Sequence, residues 1–542
     1  MSTPKMTVDV VEHVAEANED EDVDDNGPLL GAPVEKINPL GHEVTLLSCV
    51  MLNLGQMLGS GIFSVPGVIL NSVGSIGLFF LAWILAPVFA YAGLSMYTEL
   101  ASMFPDRSGA EVVYLEQAYP RPKFLVPVSF AVTTVLLSFS ATNSIVFAQY
   151  FMSLFNIQST AFRQTAIALA VATFAVAVVA ISTKWSLRAV NAMSGIKVIS
   201  QVFVAAAGLA VLAGITRIKD PWSNFKDPWA ESSLNGNALA TAFVKTHFAF
   251  VGWSNAFNVL GEVKSDPVRT VRNSGRIALA LVSTLFLLTN VAYVAAIPKD
   301  DIKQSGQLVG ALFFQRIFGE SWAAKLLPVM VTFSCLGNIT VGQARVIREV
   351  ARQGLLPWPE FFASTRPFGT PLGPVLLKYS LTVLVIIALP AADAFNFLLD
   401  LASYPHLFFS LATAFGVWIL RKRLATHKSL DRRFRASNVS VSLSIFSCVF
   451  LVIMPWVPPE HGRADVSFWY ATYCVVGIAI LAACTFYYYV WIVLIPRWGG
   501  YEIVEEIEEL EGGARLARLV RKYPSDASTP GSVSPERVAL LN

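Results

Sequence analysis

The sequence predicts an all-α integral membrane protein of about twelve transmembrane helices, and three observations carry that expectation. The chain is 54% hydrophobic and only 14% charged, against about 25% charged in an ordinary soluble domain. Its apolar runs recur along most of its 542 residues. They reach the roughly 20 residues that a helix needs to cross a hydrocarbon core of about 30 Å. Lysine and arginine fall unevenly between alternate connections, as the positive-inside rule describes. A net charge of +2 offers no basic surface, so no nucleic-acid partner is expected. The lipid bilayer is the first partner that the composition implies.

Taken in order, residues 1–42 are rich in Asp and Glu and poor in aromatics, which reads as a disordered cytoplasmic tail. This polar, acidic start does not resemble a cleavable signal peptide. Apolar spans follow at 43–72, 76–103, 124–153, 163–182, 186–213, 238–262, 274–297, 323–350, 372–390, 393–420, 437–456 and 467–494. Proline and charge punctuate the gaps, as in Phe104-Pro105-Asp106-Arg107 and Ile297-Pro298-Lys299-Asp300. Residues 304–320 read as a short re-entrant or extracellular helix. With the N-terminus inside, the inward connections hold about twenty basic residues and the outward ones roughly nine. Both tails are then cytoplasmic. In the tail 495–542, Ile503, Ile507, Leu510, Leu516 and Leu519 recur at near-helical intervals among charges, which predicts an amphipathic helix over Tyr501–Tyr523.

The five cysteines, Cys49, Cys335, Cys448, Cys474 and Cys484, all lie in apolar segments without metal-type spacing. They read as small buried hydrophobes. No cofactor or metal is expected. No nucleophile elbow or His/Asp/Glu cluster sits within the spans, so an enzyme is disfavoured.

The first and sixth spans are interrupted by glycine at matching places in the two halves. One reads Leu58-Gly59-Ser60-Gly61-Ile62-Phe63, the other Phe248-Ala249-Phe250-Val251-Gly252-Trp253-Ser254-Asn255. A break at bilayer depth leaves N–H and C=O groups that hydrocarbon cannot satisfy. Such breaks persist where the unwound backbone lines a cavity and a polar ligand takes over its hydrogen bonds, as in secondary transporters. At the first break the amides of Ser60, Gly61 and Ile62 suit a carboxylate, helped by the helix dipole. At the second the carbonyls of Phe248, Ala249 and Phe250 suit an ammonium group. Together they fit a zwitterion, an α-amino acid held by backbone. Close helix packing at small residues is the simpler use of Gly59 and Gly61, but it does not account for two matched breaks. No acidic residue adjoins either break, which leaves a cationic substrate without a counter-charge. Glu99 and Glu262 lie near span ends and read as gate or loop ion pairs.

Several motifs resemble the amino acid–polyamine–organocation superfamily: Gly59-Ser60-Gly61-Ile62-Phe63, Ser108-Gly109-Ala110-Glu111, the Phe-Ala-Phe-Val-Gly-Trp-Ser-Asn stretch and Ser334-Cys335-Leu336-Gly337. The run Arg348-Glu349-Val350-Ala351-Arg352-Gln353-Gly354-Leu355-Leu356-Pro357 adds to them. The resemblance covers about 43–495. Within the superfamily the chain is similar to L-type amino acid transporters, especially the fungal branch that includes high-affinity methionine permeases. The resemblance implies a leucine-transporter-type inverted repeat, with five helices in 43–213, five in 238–420, and two more in 437–494. It also implies a site lined by Gln56, Met57, Phe250, Trp253, Ser254, Asn255 and Ser334, with Phe248 as an aromatic gate, suited to medium or large neutral side chains. Trp253 and Phe248 also make sense as packing aromatics.

Lys197 stands about 11 residues into span 5, roughly 16 Å along the helix, too deep for easy snorkelling. The resemblance places such a lysine beside the first break as a stand-in for sodium; a fixed structural bond is the alternative. Lys245 and His247 lie nearer the outer end of span 6 and read as vestibule or snorkelled residues. The implied activity is import of neutral L-amino acids, proton-coupled and sodium-independent. An exchanger or a transporter-like sensor of the same fold stays open. Animal L-type carriers join a single-span glycoprotein through a cysteine between spans 3 and 4. The stretch from Leu154 to Arg163 has none, so no disulfide-linked heavy chain is expected. Lys5 and Lys36 in the acidic tail suit ubiquitin-ligase machinery and removal from the plasma membrane.

Overall fold

The computed structural model describes residues 44–105, 109–181, 183–216, 218, 220–319, 322–352, 354–356, 358–364, 370–389, 393–424, 434–460, 465–509 and 515–523. The N-terminal tail with Lys5 and Lys36, Ser108, and the end of the C-terminal tail lie outside them.

The first span is three pieces: α1 (Leu46–Met57), the single turn α2 (Gly61–Ser64) and α3 (Pro66–Val73). Gly74, at φ 76°, closes α3, and Ser75 caps α4 (Ile76–Met103) by accepting from the Leu78 amide at 3.3 Å. Then come α5 (Glu111–Ala118), α6 (Leu125–Leu136), α7 (Ala141–Leu154), α8 (Ala161–Ile181) and α9 (Thr183–Leu212). The sixth span is α10 (Gly236–Phe250), an irregular stretch, and a 3₁₀ segment over Asn255–Glu262. Next are α11 (Pro267–Ala296), the short helices α12 (Lys299–Gln304) and α13 (Val309–Phe318), and α14 (Trp322–Arg352). The helical part ends with α15 (Pro359–Ala363), α16 (Leu372–Ala388), α17 (Ala394–Leu424), α18 (Asn438–Ile453), α19 (Thr472–Tyr488) and α20 (Ile495–Gly499).

Among the described residues, nine helices are long and apolar enough to cross a membrane, with α13 and α16 as shorter apolar helices. Large side chains such as Phe174, Ile199, Phe446 and Phe486 are exposed on the helix bundle. That outward apolar surface is what a hydrocarbon environment requires. Inside, helices meet through small residues. A methyl group on Gly208 of α9 would lie only 2.2 Å from Ala292 Cβ on α11, so the two helices cross in direct backbone contact.

Two features depart from the sequence reading. The third span is itself broken between α6 and α7, although it contains no glycine there. Its freed groups are taken by α16: Lys378 Nζ donates to the Ser138 carbonyl at 2.6 Å, and Thr382 Oγ1 accepts from the Ser140 amide at 3.0 Å. The expected amphipathic helix over Tyr501–Tyr523 is instead a two-stranded antiparallel sheet, β1 (Glu502–Glu509) with β2 (Arg515–Lys522). The register explains why. Glu502 faces Lys522, Glu506 faces Arg518, and Glu509 faces Arg515, so an acidic strand pairs with a basic one. Leu519 and Tyr501 then pack with Ile347, Val350 and Trp491, at the end of α14 and the helix before α20.

Candidate functional site

The two expected breaks lie side by side. In α1 the Leu58 amide still donates to the Leu54 carbonyl, and Gly59 N–H turns back to the Met57 carbonyl at 2.8 Å. The helix restarts at Ser60, whose carbonyl accepts from Phe63 and Ser64. The amides of Ser60, Gly61 and Ile62 are therefore first-turn donors with no main-chain acceptor. In the sixth span Val251 N–H closes on the Phe248 carbonyl at 3.2 Å, and the chain then extends through Val251 and Gly252, the latter at φ 122°. The carbonyls of Ala249 and Phe250 are left without a main-chain donor. Gly61 approaches Ala249 so closely that a Cβ there would lie 3.0 Å from Ala249 Cα. Opposed donors and acceptors thus face one cleft.

That cleft encloses about 430 Å³ including its open mouth, and its wall is mostly apolar. Gln56, Met57, Gly59, Ser60 and Gly61 supply one side; Phe248, Ala249 and Val251 supply the other. Lys197 reaches it from α9 and Asn143 from α7. Lys197 is 1% exposed, and its Nζ donates to the Gly55 carbonyl at 3.3 Å. Gly55 belongs to the last turn of α1, where carbonyls lack helical partners and a cation complements the dipole. The lysine therefore caps the half-helix just before the break. Asn143, which the sequence reading missed, accepts from Ser60 Oγ through its Oδ1 at 2.8 Å and fixes the restart of the helix. The signal for it was an amide side chain in the apolar run of span 3.

Other expected lining residues stand elsewhere. Ile62 is fully buried behind the cleft. Phe250 turns its ring away, 5.3 Å from Phe286 and 6.2 Å from Trp83. Trp253 wedges against Tyr97, with ring centroids 5.0 Å apart, and over Gly93. Ser254 begins the 3₁₀ segment, and Asn255 Nδ2 donates to the Leu52 carbonyl at 3.2 Å. Asn53 Oδ1 in turn accepts from the Ala256 amide at 3.0 Å, and Gly252 sits against Gln56. Asn255 and Gly252 thus rivet the irregular stretch to α1, and Phe250 and Trp253 pack on α4, rather than line the cleft. Ser334 lies on α14, its side chain outside what is described.

The cleft is open at one end and shut at the other. Val251 on its wall is 42% exposed, whereas Ile62, Phe63 and Ser64 beyond the break are fully buried. The shut end is covered by α12 and α13. A Cβ on Gly67 would meet the Gly306 carbonyl at 2.6 Å, and Tyr150 donates its hydroxyl to the Phe63 carbonyl at 2.7 Å. Glu99 forms the expected ion pair near a span end, with both carboxylate oxygens bound by Arg421, at 2.7 and 2.6 Å. Lys245 is not a vestibule or snorkelled residue. It is fully buried, 2.7 Å from Asp400 and 3.1 Å from Asp465, because both partners converge on it from distant parts of the chain.

A bundle of apolar helices with two unwound segments facing one cleft defines a membrane permease, and residues 44–480 match the family model described as amino acid permease. The chain belongs to that family and is a multi-pass membrane protein. It is 30% identical over 489 residues to the high-affinity methionine permease of Saccharomyces cerevisiae, covering 89% of this chain and 84% of the relative. The low-affinity methionine permease of the same yeast is 30% identical over 495 residues, covering 89% and 88%. The cystine/glutamate transporter of Homo sapiens is 28% identical over 426 residues, covering 78% and 81%.

Proposed function

We propose that this protein imports neutral L-amino acids, methionine among them, by alternating access and without sodium. The observation that carries the proposal is the pairing of free amides at Ser60 and Gly61 with the free carbonyl of Ala249 across one cleft. An α-carboxylate on the first set and an α-ammonium on the second would satisfy both. The side chain would then lie along Met57, Phe248, Ala249 and Val251, a wall without a carboxylate. That favours apolar, uncharged substrates, and the two yeast methionine permeases among the relatives agree with it.

In this reading the breaks mark the first helix of each of two inverted five-helix groups, in a chain of twelve spans. The basic ends of α11, α14 and α17 support an orientation with both termini in the cytoplasm, in a carrier of the plasma membrane. The open end of the cleft then faces inward, and α12 and α13 close the outer route. Lys197 holds the end of α1 where a sodium ion would otherwise bind the freed carbonyls. The chain works alone, since the connection after α7 offers no cysteine to a heavy chain, and its acidic tail serves removal by ubiquitin ligases.

A competition panel tests the proposal. Radiolabelled methionine uptake is measured in a permease-deficient yeast, with all common amino acids as competitors, in sodium and sodium-free media at two pH values. Inhibition by medium and large neutral amino acids, unaffected by sodium, is the expected result. Strict sodium dependence, or competition only by cationic or acidic amino acids, would reject it. Accumulation against a gradient, with no internal substrate preloaded, separates import from exchange and from sensing.

A further inference from the structure

The most unusual chemistry outside the cleft is the buried charge group around Lys245. Its Nζ lies 2.7 and 2.8 Å from the two oxygens of Asp400 on α17, and 3.1 Å from Asp465 Oδ2 in the connection before α19. The side chains are 0%, 5% and 13% exposed, in the order lysine, Asp400, Asp465. Two carboxylates share one ammonium, so the group carries a surplus negative charge in a setting where charge is expensive. Asp465 Oδ2 is moreover a buried acceptor to which no donor is aligned. Among the described residues, the other titratable groups facing the pair are Tyr473 and Cys474 of α19, both ordinarily uncharged at neutral pH.

The elements that meet here differ in how firmly they are held. At its far end α17 is tied to α4 by the Arg421–Glu99 pair, and Arg421 Nη2 also donates to the Ala436 carbonyl at 2.7 Å. At its near end Asp393 accepts from the Ser467 amide at 3.0 Å, and Asn396 Nδ2 donates to the Asp465 carbonyl at 2.8 Å. The connection is thus fastened to α17. By contrast α10 is the outer half of a broken helix, and Lys245 is its one charged tie to that unit among the described residues.

We propose that Lys245, Asp400 and Asp465 form a proton-binding latch on the outer gate. The inference rests on the transport reading and its orientation. A proton from the outer solution binds the carboxyl pair and removes one of the two charges that hold the ammonium. The attraction between α10 and α17 weakens, α10 swings, and the outer route opens. Loss of the proton restores the surplus charge and draws Lys245 back, closing the gate. The proton belongs to the pair rather than to one carboxyl.

The test uses the full-length protein in cells and reads two quantities. Initial uptake of labelled methionine is measured from external pH 7.5 to 5.0. Labelling of Ser64→Cys by a membrane-impermeant maleimide is measured over the same range. Ser64 is fully buried just beyond the break, and the four described native cysteines are buried too. In otherwise wild-type protein both signals should rise with acid, by up to tenfold per unit for a single proton. Asp465→Asn imitates the protonated pair, so its uptake and labelling should be high and vary less than twofold across the range. Asp465→Glu should keep the wild-type slope, which a merely structural role for the charge would not distinguish. Wild-type slopes in Asp465→Asn, or Ser64→Cys labelling that ignores pH in the parent protein, would overturn the latch. The labelling arm needs no mutation in the latch, so a poorly folding variant cannot conceal the answer. Acid-dependent labelling with no amino acid uptake at any pH would instead reject the transport reading and leave the latch standing.

Discussion

Gly252 offers the sharpest single perturbation of the paired-break architecture. Its φ of 122° lies where residues with a Cβ are strained by about 1–3 kcal/mol. An added Cβ would also fall 2.5 Å from Gln56 Cβ and Cγ and 3.1 Å from the Met57 amide. Forcing that overlap apart costs a further ~1–3 kcal/mol. A combined penalty near 3 kcal/mol lowers the population of this arrangement by about 150-fold. Gly252→Ala should therefore reduce methionine uptake about a hundredfold, because α1 and the irregular stretch can no longer close on one another around the cleft. The assay is initial uptake normalised to surface protein, with Gly195→Ala as control. Gly195 has an ordinary φ and nothing within 4 Å of an added Cβ. That control should transport normally, with a small gain in helix stability. Uptake by Gly252→Ala within twofold of wild type, at equal surface level, would refute the argument.

Gly61→Val should abolish uptake by driving its side chain into Ala249, and methionine binding by the purified protein, measured by a ligand-induced thermal shift, should vanish with it. The reason is close approach alone, since Gly61 has no positive φ. Lys197→Met keeps bulk without the charge that bonds the Gly55 carbonyl; it should lose concentrative uptake while retaining some exchange, and normal accumulation across a pH gradient would reject the role given to the lysine. Arg421→Met leaves Glu99, 2% exposed, without its main partner, a loss of about 3–5 kcal/mol for a broken buried pair. Fluorescence-detected melting should show the fall, and adding Glu99→Gln should restore part of it.

Much of the architecture was legible because membranes enforce simple rules. Every expected span contains helix, and both breaks fall where glycine interrupts an apolar run. Direction was not legible. Phe250, Gly252, Trp253, Ser254 and Asn255 were expected at the site, yet whether a side chain turns toward the cleft or toward α4 depends on neighbours such as Gly93 and Phe286. The break before α7 escaped notice because serine stands there, and the groups that make it tolerable belong to Lys378 and Thr382, some 240 residues away. The latch was invisible for the same reason: Lys245 and Asp400 are 155 positions apart. In the tail, hydrophobic spacing alone pointed to a helix. The better signal was segregation of charge into an acidic run and a basic run on either side of Gly512-Gly513.

The cover over Gly67 differs in kind from the cleft wall. There the chain is sealed mostly by main chain, with the Gly306 carbonyl, Ser305 Oγ and the Ile302 carbonyl 2.6, 2.6 and 2.9 Å from where a Cβ would stand. Only one of those three neighbours is a side chain, so mutation has little room to make the joint slightly looser or slightly tighter. Variation that retunes what the protein accepts has to accumulate at Met57, Phe248 and Val251, on the cleft wall. The seal itself is held to a single residue type. Selectivity and closure can then evolve independently of each other.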